Sequence, residues 1–286
     1  MRYLFLLVAV VLTGCAGDLS KNTRQALSVV VPHDVDFEEL KFYALRARSA
    51  YDEPQKIRAD YEDVTRVKTV PSVDVRYFIE TDDAARSQTI SVRGTAENEN
   101  VWQDIAITLE YDSVLGAWLH RGFREDALAV WLDAKPHLRQ DYELRVTGHS
   151  LGAAIALLIG GYSNKEGYNV VRVVNFGQPK VTATDLLPEN LSILTRVIDD
   201  NDVVPMLPPP GFVPKYRHEG SEVILRPGVQ YVYLDAHDAD RVSIAEFWRE
   251  FQAFSVEEHK MDRYIENLDY KLENGTRQVP YFSLGN

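Results

Sequence analysis

The stretch Gly148-His149-Ser150-Leu151-Gly152 constrains this chain more than any other. It fits G-x-S-x-G and stands between a strand-like run, Tyr142 to Thr147, and Ser150 to Gly160, which is rich in small and apolar residues and reads as a helix. A serine at a strand-to-helix junction sits in a strained turn, where bulkier neighbours than Gly148 and Gly152 would collide with the adjoining strand and helix. Gly152-Ala153-Ala154 and Ala156 keep the helix slim enough to pack closely on a sheet. A helix beginning here turns its free N–H groups and positive dipole end toward the serine, where a developing negative charge would be stabilised.

The rest of the chain supplies the layers around that junction. Phe37, Leu40, Tyr43, Ala44 and Ala47 recur at helical spacing, and Pro54 reads as the breaker that closes the segment. Strand-like stretches follow at Val73–Ile79, Thr89–Val92 and Ile105–Tyr111, the last with Ile105, Ile107, Leu109 and Tyr111 alternating with Ala106, Thr108 and Glu110. Gly122 to Leu138 reads as a helix with Phe123, Ala127, Val130 and Trp131 on one face. Val170–Phe176 and Leu191–Ile198 are apolar strands, Val223–Leu225 and Tyr231–Leu234 resemble a hairpin, and helices are expected near Ser243–Phe254 and Val256–Leu268. Strands alternating with helices, after an opening richer in strands, predict an α/β layered domain with one mixed sheet. No Gly/Ser-rich linker divides it, and a chain of 286 residues with 45% hydrophobic content can bury one large core.

A serine hydroxyl becomes a useful nucleophile when a base takes its proton, and an imidazole suits that task near neutral pH. An acid then orients the imidazole and stabilises its cation. In α/β-hydrolase folds these groups follow the order Ser, Asp or Glu, His. His218, His237 and His259 are therefore candidate bases, and Asp199, Asp200 and Asp202, at the end of a predicted strand, are candidate acids. Spacing alone does not choose among them.

The chain resembles the class 3 lipases, the family of fungal triacylglycerol lipases and their bacterial relatives, from about residue 37 to 270. Gly148–Gly152 matches the family's nucleophile elbow, and Asn175-Phe176-Gly177-Gln178-Pro179-Lys180-Val181 matches the strand and loop that follow it. Asn201-Asp202-Val203-Val204-Pro205-Met206-Leu207-Pro208 resembles the segment whose aspartate is the triad acid, which implies that role for Asp202. Glu258-His259-Lys260-Met261-Asp262-Arg263-Tyr264 resembles the segment bearing the catalytic histidine, which implies His259 as the base; His218 then reads as structural and His237 as a surface-loop residue. The oxyanion hole is expected from the backbone N–H of Leu151 and from Thr95 in Arg93-Gly94-Thr95, a loop preceded by Val92 where relatives usually carry phenylalanine. His120-Arg121-Gly122-Phe123 also resembles a family segment and reads as structural. The resemblance implies an α/β-hydrolase fold, a single domain with a mixed, mostly parallel central sheet flanked by helices. It further implies a serine ester hydrolase that needs no cofactor and no metal. Phospholipase A activity, or a silent fold kept for binding, are the rival readings.

The N-terminus reads as an address. Arg2 precedes the apolar run Leu4–Leu12, which at nine residues is far short of the roughly 20 needed to span a bilayer as a helix. Leu12-Thr13-Gly14-Cys15 resembles a bacterial lipobox, implying a signal peptide over residues 1–14 and a diacylglyceryl anchor on Cys15, with residues 15–34 as lipidated cysteine and tether and 35–286 as the hydrolase domain. Ala16 after the cysteine leans toward the outer membrane in a Gram-negative source, so the expected site is the cell envelope, facing outside the cytoplasm. Cys15 is the single cysteine, which excludes an internal disulfide and any Cys-rich zinc site. Forty-three acidic against 31 basic residues give a net charge of −12, which repels phosphate backbones and argues against a nucleic-acid partner. The expected partners are a lipid or ester substrate and, through Cys15, a membrane. Between Thr95 and Ile105 the chain is short and acidic with Trp102 its one large apolar group, so a broad lid is not expected. Modest interfacial activation and a preference for short- to medium-chain esters follow from that.

Overall fold

Strand alternation sorts the apolar residues of this chain onto two faces of one sheet, and each face is covered by helices. The structure, a computed structural model, describes residues 21–94, 108–184, 193–208, 216–245 and 257–282. In chain order the first elements are helices α1 (Lys21–Ala26), α2 (Phe37–Ser49) and α3 (Pro54–Asp60), then strands β1 (Val64–Val70), β2 (Val75–Asp82) and β3 (Ser87–Val92). A hairpin of β4 (Leu109–Asp112) and β5 (Ala117–His120) leads into α4 (Arg121–Ala134). Next come β6 (Glu143–His149), α5 (Leu151–Lys165), β7 (Asn169–Phe176), β8 (Leu194–Asp199), β9 (Ser221–Leu225) and β10 (Gln230–Leu234). The chain closes with α6 (Ala236–Ala245), α7 (Met261–Asn274) and the short β11 (Arg277–Gln278).

Among the described residues these strands form a nine-stranded sheet in the order β1-β2-β3-β6-β7-β8-β9-β10-β11 and a separate β4–β5 pair. β1, β2 and β3 pair antiparallel, β3 through β9 run parallel, β10 returns antiparallel and β11 adds parallel to it. The sheet is therefore mixed and mostly parallel at its centre, as expected of an α/β hydrolase. Parallel pairing puts the C-terminal ends of β6, β7 and β8 on one edge, the edge where ligands bind in such sheets.

On one face Val146 and Val173 pack with Val130 and Trp131 of α4 and Ile155, Leu158 and Ile159 of α5. On the other, Val174, Phe176 and Val197 pack with Leu40, Tyr43 and Ala44 of α2 and Tyr264 and Leu268 of α7. Adjacent residues Val173 and Val174 thus serve opposite cores, as a two-residue period demands. Helix α5 is buried from Gly152 through Ser163, which its hydrophobic, small-residue sequence permits on all sides. The close packing is set by two glycines. A Cβ on Gly152 would lie 2.3 Å from the Val92 carbonyl oxygen, and one on Gly148 would lie 2.3 Å from that of Gly152.

The periodic segments lie where they are predicted, with shifted ends. α2 buries Phe37, Leu40, Tyr43, Ala44 and Ala47, and its N-cap Asp36 accepts a 2.9 Å hydrogen bond from the Glu39 N–H. Pro54 starts a helix rather than closing one, because a proline in the first turn forfeits no intrahelical bond. The last predicted helix, 256–268, is in fact a 3₁₀ turn at Glu257–His259 followed by α7. His237 lies on α6 rather than in a loop, exposed near its start. Of the helix expected over 243–254, residues beyond 245 lie outside the described residues, as do 105–107 and 191–192 of the expected strands. The expected tether contains α1, and Leu27 is buried against Ile224, Val232 and Leu234. No helix among the described residues is long and apolar enough to cross a membrane.

The glycine packing makes a stability prediction. Gly152→Ala must displace the Val92–Arg93 backbone, so its urea unfolding should show a loss of about 1–3 kcal/mol despite alanine's better helix propensity. An unchanged midpoint would contradict this packing.

Candidate active site

Ser150 sits between β6 and α5 with φ 62° and ψ −130°, a conformation that side chains rarely adopt. The turn is held because the Ser150 N–H donates to the Phe176 carbonyl at 2.9 Å and its own carbonyl accepts from the Ala153 N–H at 3.0 Å. Asn175 Nδ2 braces the same helix start, donating to the Ala153 carbonyl at 2.9 Å and to Gln178 Oε1 at 2.7 Å. Leu151 is the first residue of α5, so its N–H lies in the turn that has no earlier helical carbonyl to meet.

His259, 7% exposed, meets Asp202, 1% exposed, through a 2.7 Å hydrogen bond from Nδ1 to Oδ2. The Asp202 carboxylate also accepts from the Val204 N–H at 2.8 Å and from the Tyr264 hydroxyl. Burial, and then the Asp202 charge, push the Tyr264 hydroxyl well above the usual phenol range, so it stays a neutral donor. Gly177, at φ +55°, passes directly over this pair; a Cβ there would lie 2.7 Å from the His259 ring and 2.9 Å from Asp202 Oδ2. The loop carrying Asp202 is fastened from beneath. Lys180 Nζ donates to the Met206 carbonyl at 2.9 Å, and His218 Nε2 donates to the Pro205 carbonyl at 2.6 Å. Burial lowers the Lys180 pKa to about 7 and drives the His218 pKa well below its ordinary value.

His149 joins the two halves of the site. Its Nε2 lies 2.7 Å from the His259 carbonyl oxygen and its Nδ1 2.8 Å from the Tyr51 hydroxyl. The carbonyl can only accept, so Nε2 carries the proton, Nδ1 accepts, and Tyr51 donates. Burial, reinforced by the neighbouring His259, pushes the His149 pKa far down and keeps the ring neutral in that tautomer. The two imidazoles lie 4.5 Å apart between centroids. Tyr51 also lies against Gly94, where an added Cβ would fall 2.4 Å from its hydroxyl and 3.0 Å from Ser150 Cβ. The strand end leading to residue 95 therefore runs beside Ser150.

The structure thus brings Ser150, His149, Asp202 and His259 to the C-terminal edge of the sheet, with Leu151 at the helix start. Thr95 and Cys15 lie outside the described residues. Asp200 pairs with Arg226 at 3.4 Å, and Asp199 bonds Asn267 rather than a histidine. His120 caps α4, its Nδ1 accepting from the Phe123 N–H at 3.3 Å, in keeping with a structural role. Tyr51 and Tyr264 carry no sequence signal for their contacts, because each partner lies far away in the chain. Among the described residues, the group of histidine and carboxylates close enough to share a cation is Asp235, His237 and Asp238, the first two exposed and the third half-buried.

Residues 89–212 match the family described as Lipase (class 3). The chain is similar to class 3 lipases. It is 28% identical over 178 residues to a lipase of Rhizomucor miehei, covering 56% of this chain and 48% of that protein. It is also 28% identical over 165 residues to the secreted mono- and diacylglycerol lipase 1 of Fusarium solani, covering 53% and 47%. The chain spans about half the length of these sequence relatives. Its fold is that of a lipase from Rhizopus microsporus var. chinensis, with TM-score 0.57 at 25% identity over 72% of this chain and 81% of the other. The Rhizomucor miehei triacylglyceride lipase gives TM-score 0.59 at 20% identity over 78% and 92%. The class 3 segment holds Ser150 and Asp202, while His259 and Tyr51 lie outside it.

Asp199 is buried at the end of β8. Burial, aided by Glu258 and Asp202, raises the Asp199 pKa from 3.8 to about 6. The folded state then binds more protons than the unfolded one between those values, so stability present below pH 3.8 is lost as pH rises through about 6. Asp199→Asn should therefore raise stability by up to about 3 kcal/mol at pH 8, with the gain shrinking toward zero near pH 4. Thermal melts across that range check it; a variant less stable than the parent at pH 8 would contradict the assignment.

Proposed function

We propose that the protein is a serine hydrolase that cleaves the carboxylic ester bonds of lipids through an acyl-enzyme on Ser150. The observation that carries this reading is the buried Asp202–His259 hydrogen bond held, through His149, beside a serine in a strained elbow. The similarity to fungal proteins named as lipases supports lipid esters as the substrate class.

The chemistry follows from the groups present. Ser150 Oγ attacks the ester carbonyl carbon as its proton passes to Nε2 of His259. Asp202, bonded at Nδ1, stabilises the imidazolium without taking the proton. The tetrahedral oxyanion is received by the Leu151 N–H at the start of α5 and by Thr95, with Gly148, His149 and Gly152 shaping the elbow. Collapse breaks the bond to the alcohol oxygen, which leaves with the proton from His259. A water molecule, deprotonated by the same histidine, then releases the fatty acid and restores Ser150. No step calls for a metal or an organic cofactor.

With p-nitrophenyl esters from C2 to C16, the parent should hydrolyse the shorter chains fastest, and Ser150→Ala and Asp202→Asn should each lose at least about 10³-fold in kcat. Equal activity in parent and Ser150→Ala preparations would overturn the nucleophile.

The N-terminal Leu-Thr-Gly-Cys supports a second element of the proposal, that Cys15 carries a diacylglyceryl anchor and holds the enzyme in the cell envelope, facing outside the cytoplasm. Mass spectrometry of the N-terminal peptide should find acylated Cys15, and Cys15→Ser should move the protein from the membrane to the soluble fraction. A parent chain that is itself soluble would contradict the anchor.

A further inference from the structure

The anchor proposed on Cys15 and the docking of α1 together fix which way the domain faces the membrane. Lys21 is six peptide steps from Cys15, a span of at most about 20 Å in any conformation. A compact domain of this length is about 45 Å across. A leash that short cannot reach around the molecule, so the face on which α1 sits must look toward the bilayer.

That face is built into the fold rather than loosely attached. Leu27 is buried against Ile224, Val232 and Leu234, and its carbonyl accepts from the Phe282 N–H at 3.1 Å. Farther on, the Gln278 side chain clamps the backbone at two points, donating to the Val31 carbonyl at 2.8 Å and accepting from the His33 N–H at 3.0 Å. The His33 ring stacks on Tyr233, with centroids 3.6 Å apart. Between these fixed points Val29 and Val31 stand 61% and 73% exposed, although nearly all other valines of the described residues lie inside or half-inside the core. Helix α1 carries Lys21 and Arg24 and no acidic residue, in a chain whose net charge is −12. Acidic side chains resume only at Asp34. Two apolar side chains held outward beside a basic turn suit the headgroup layer of an anionic bilayer, where apolar groups leave water and cations meet phosphate.

The same face adjoins the catalytic edge. Arg226 donates to the Tyr281 carbonyl at 3.3 Å, next to the Phe282 that bonds Leu27, and pairs with Asp200 at 3.4 Å, two residues before Asp202. We propose that the surface formed by residues 21–31 with the C-terminal segment lies on the anchoring bilayer through Lys21, Val29 and Val31. The enzyme then draws its lipid esters from that same membrane. This rests on the proposed lipidation of Cys15.

The natural chain has one cysteine, and acylation consumes its thiol, so a second cysteine can be labelled alone. The full chain carrying Val31→Cys, or Leu132→Cys on α4, is purified as the lipoprotein and labelled with a fluorophore. Leu132 is 59% exposed, on a helix packed over β1 and β2 at the opposite edge of the sheet. Each protein is reconstituted into vesicles of phosphatidylcholine and phosphatidylglycerol that include a headgroup-quencher lipid. The expected result is quenching several-fold stronger at position 31 than at 132. Equal quenching at the two positions in an acylated, vesicle-bound protein overturns the inference and leaves the anchor standing. Mass spectra showing unacylated Cys15 overturn the anchor and the inference together, while the ester-hydrolysis assay judges the enzymatic reading separately.

Discussion

The close approach of helix α5 to the ends of β3 and β6 governs the rest of the molecule. With Gly152 against the Val92 carbonyl and Gly148 against Gly152, the helix axis meets the sheet edge without room for a single methyl group. That proximity forces Ser150 to φ 62°, which costs free energy locally and persists because the surroundings over-determine it. Phe176 receives its N–H, Asn175 braces the following turn, and the buried length of α5 anchors the turn to the main core. The serine is thereby aimed by the backbone, before any side chain of the site takes part.

The remaining groups reach the serine through neutral histidine and tyrosine bridges instead of ion pairs. His149 spans Tyr51 and the His259 backbone, so the segment after α2, the end of β3, the elbow and the turn before α7 share one hydrogen-bonded unit. A charged ring at that position would demand a counter-ion in a fully buried place; a neutral one satisfies both nitrogens with the groups at hand. Asp202 is treated differently. Three donors surround its carboxylate, and Lys180 and His218 secure its loop from the far side, which fixes the acid's position without crowding its contact with His259.

Much of the fold is legible in the sequence. The helical spacing of Phe37 to Ala47, the alternating strands and the glycine-flanked serine each depend on neighbours within a few residues, and those local patterns appear in the fold with ends moved by a few positions. Pro54 and the stretch 256–268 depart from their sequence patterns for a local reason: proline is tolerated in a helix's first turn, and a 3₁₀ turn and an α-helix share nearly the same apolar spacing.

What the sequence by itself determined is the layered α/β architecture and the strained turn at Ser150, because backbone propensity and periodicity act over short range; the choice of Asp202 and His259 rests on the resemblance of their segments to class 3 lipases. The geometry of the Asp202–His259 contact, the bonds of Tyr51 and Tyr264, the neutral state of His149 and the docking of Leu27 beneath an exposed Val29 and Val31 were decided by tertiary structure alone. Each joins groups separated by tens to hundreds of residues, and only the closed sheet brings them within hydrogen-bonding or packing distance and removes the water that would otherwise satisfy them.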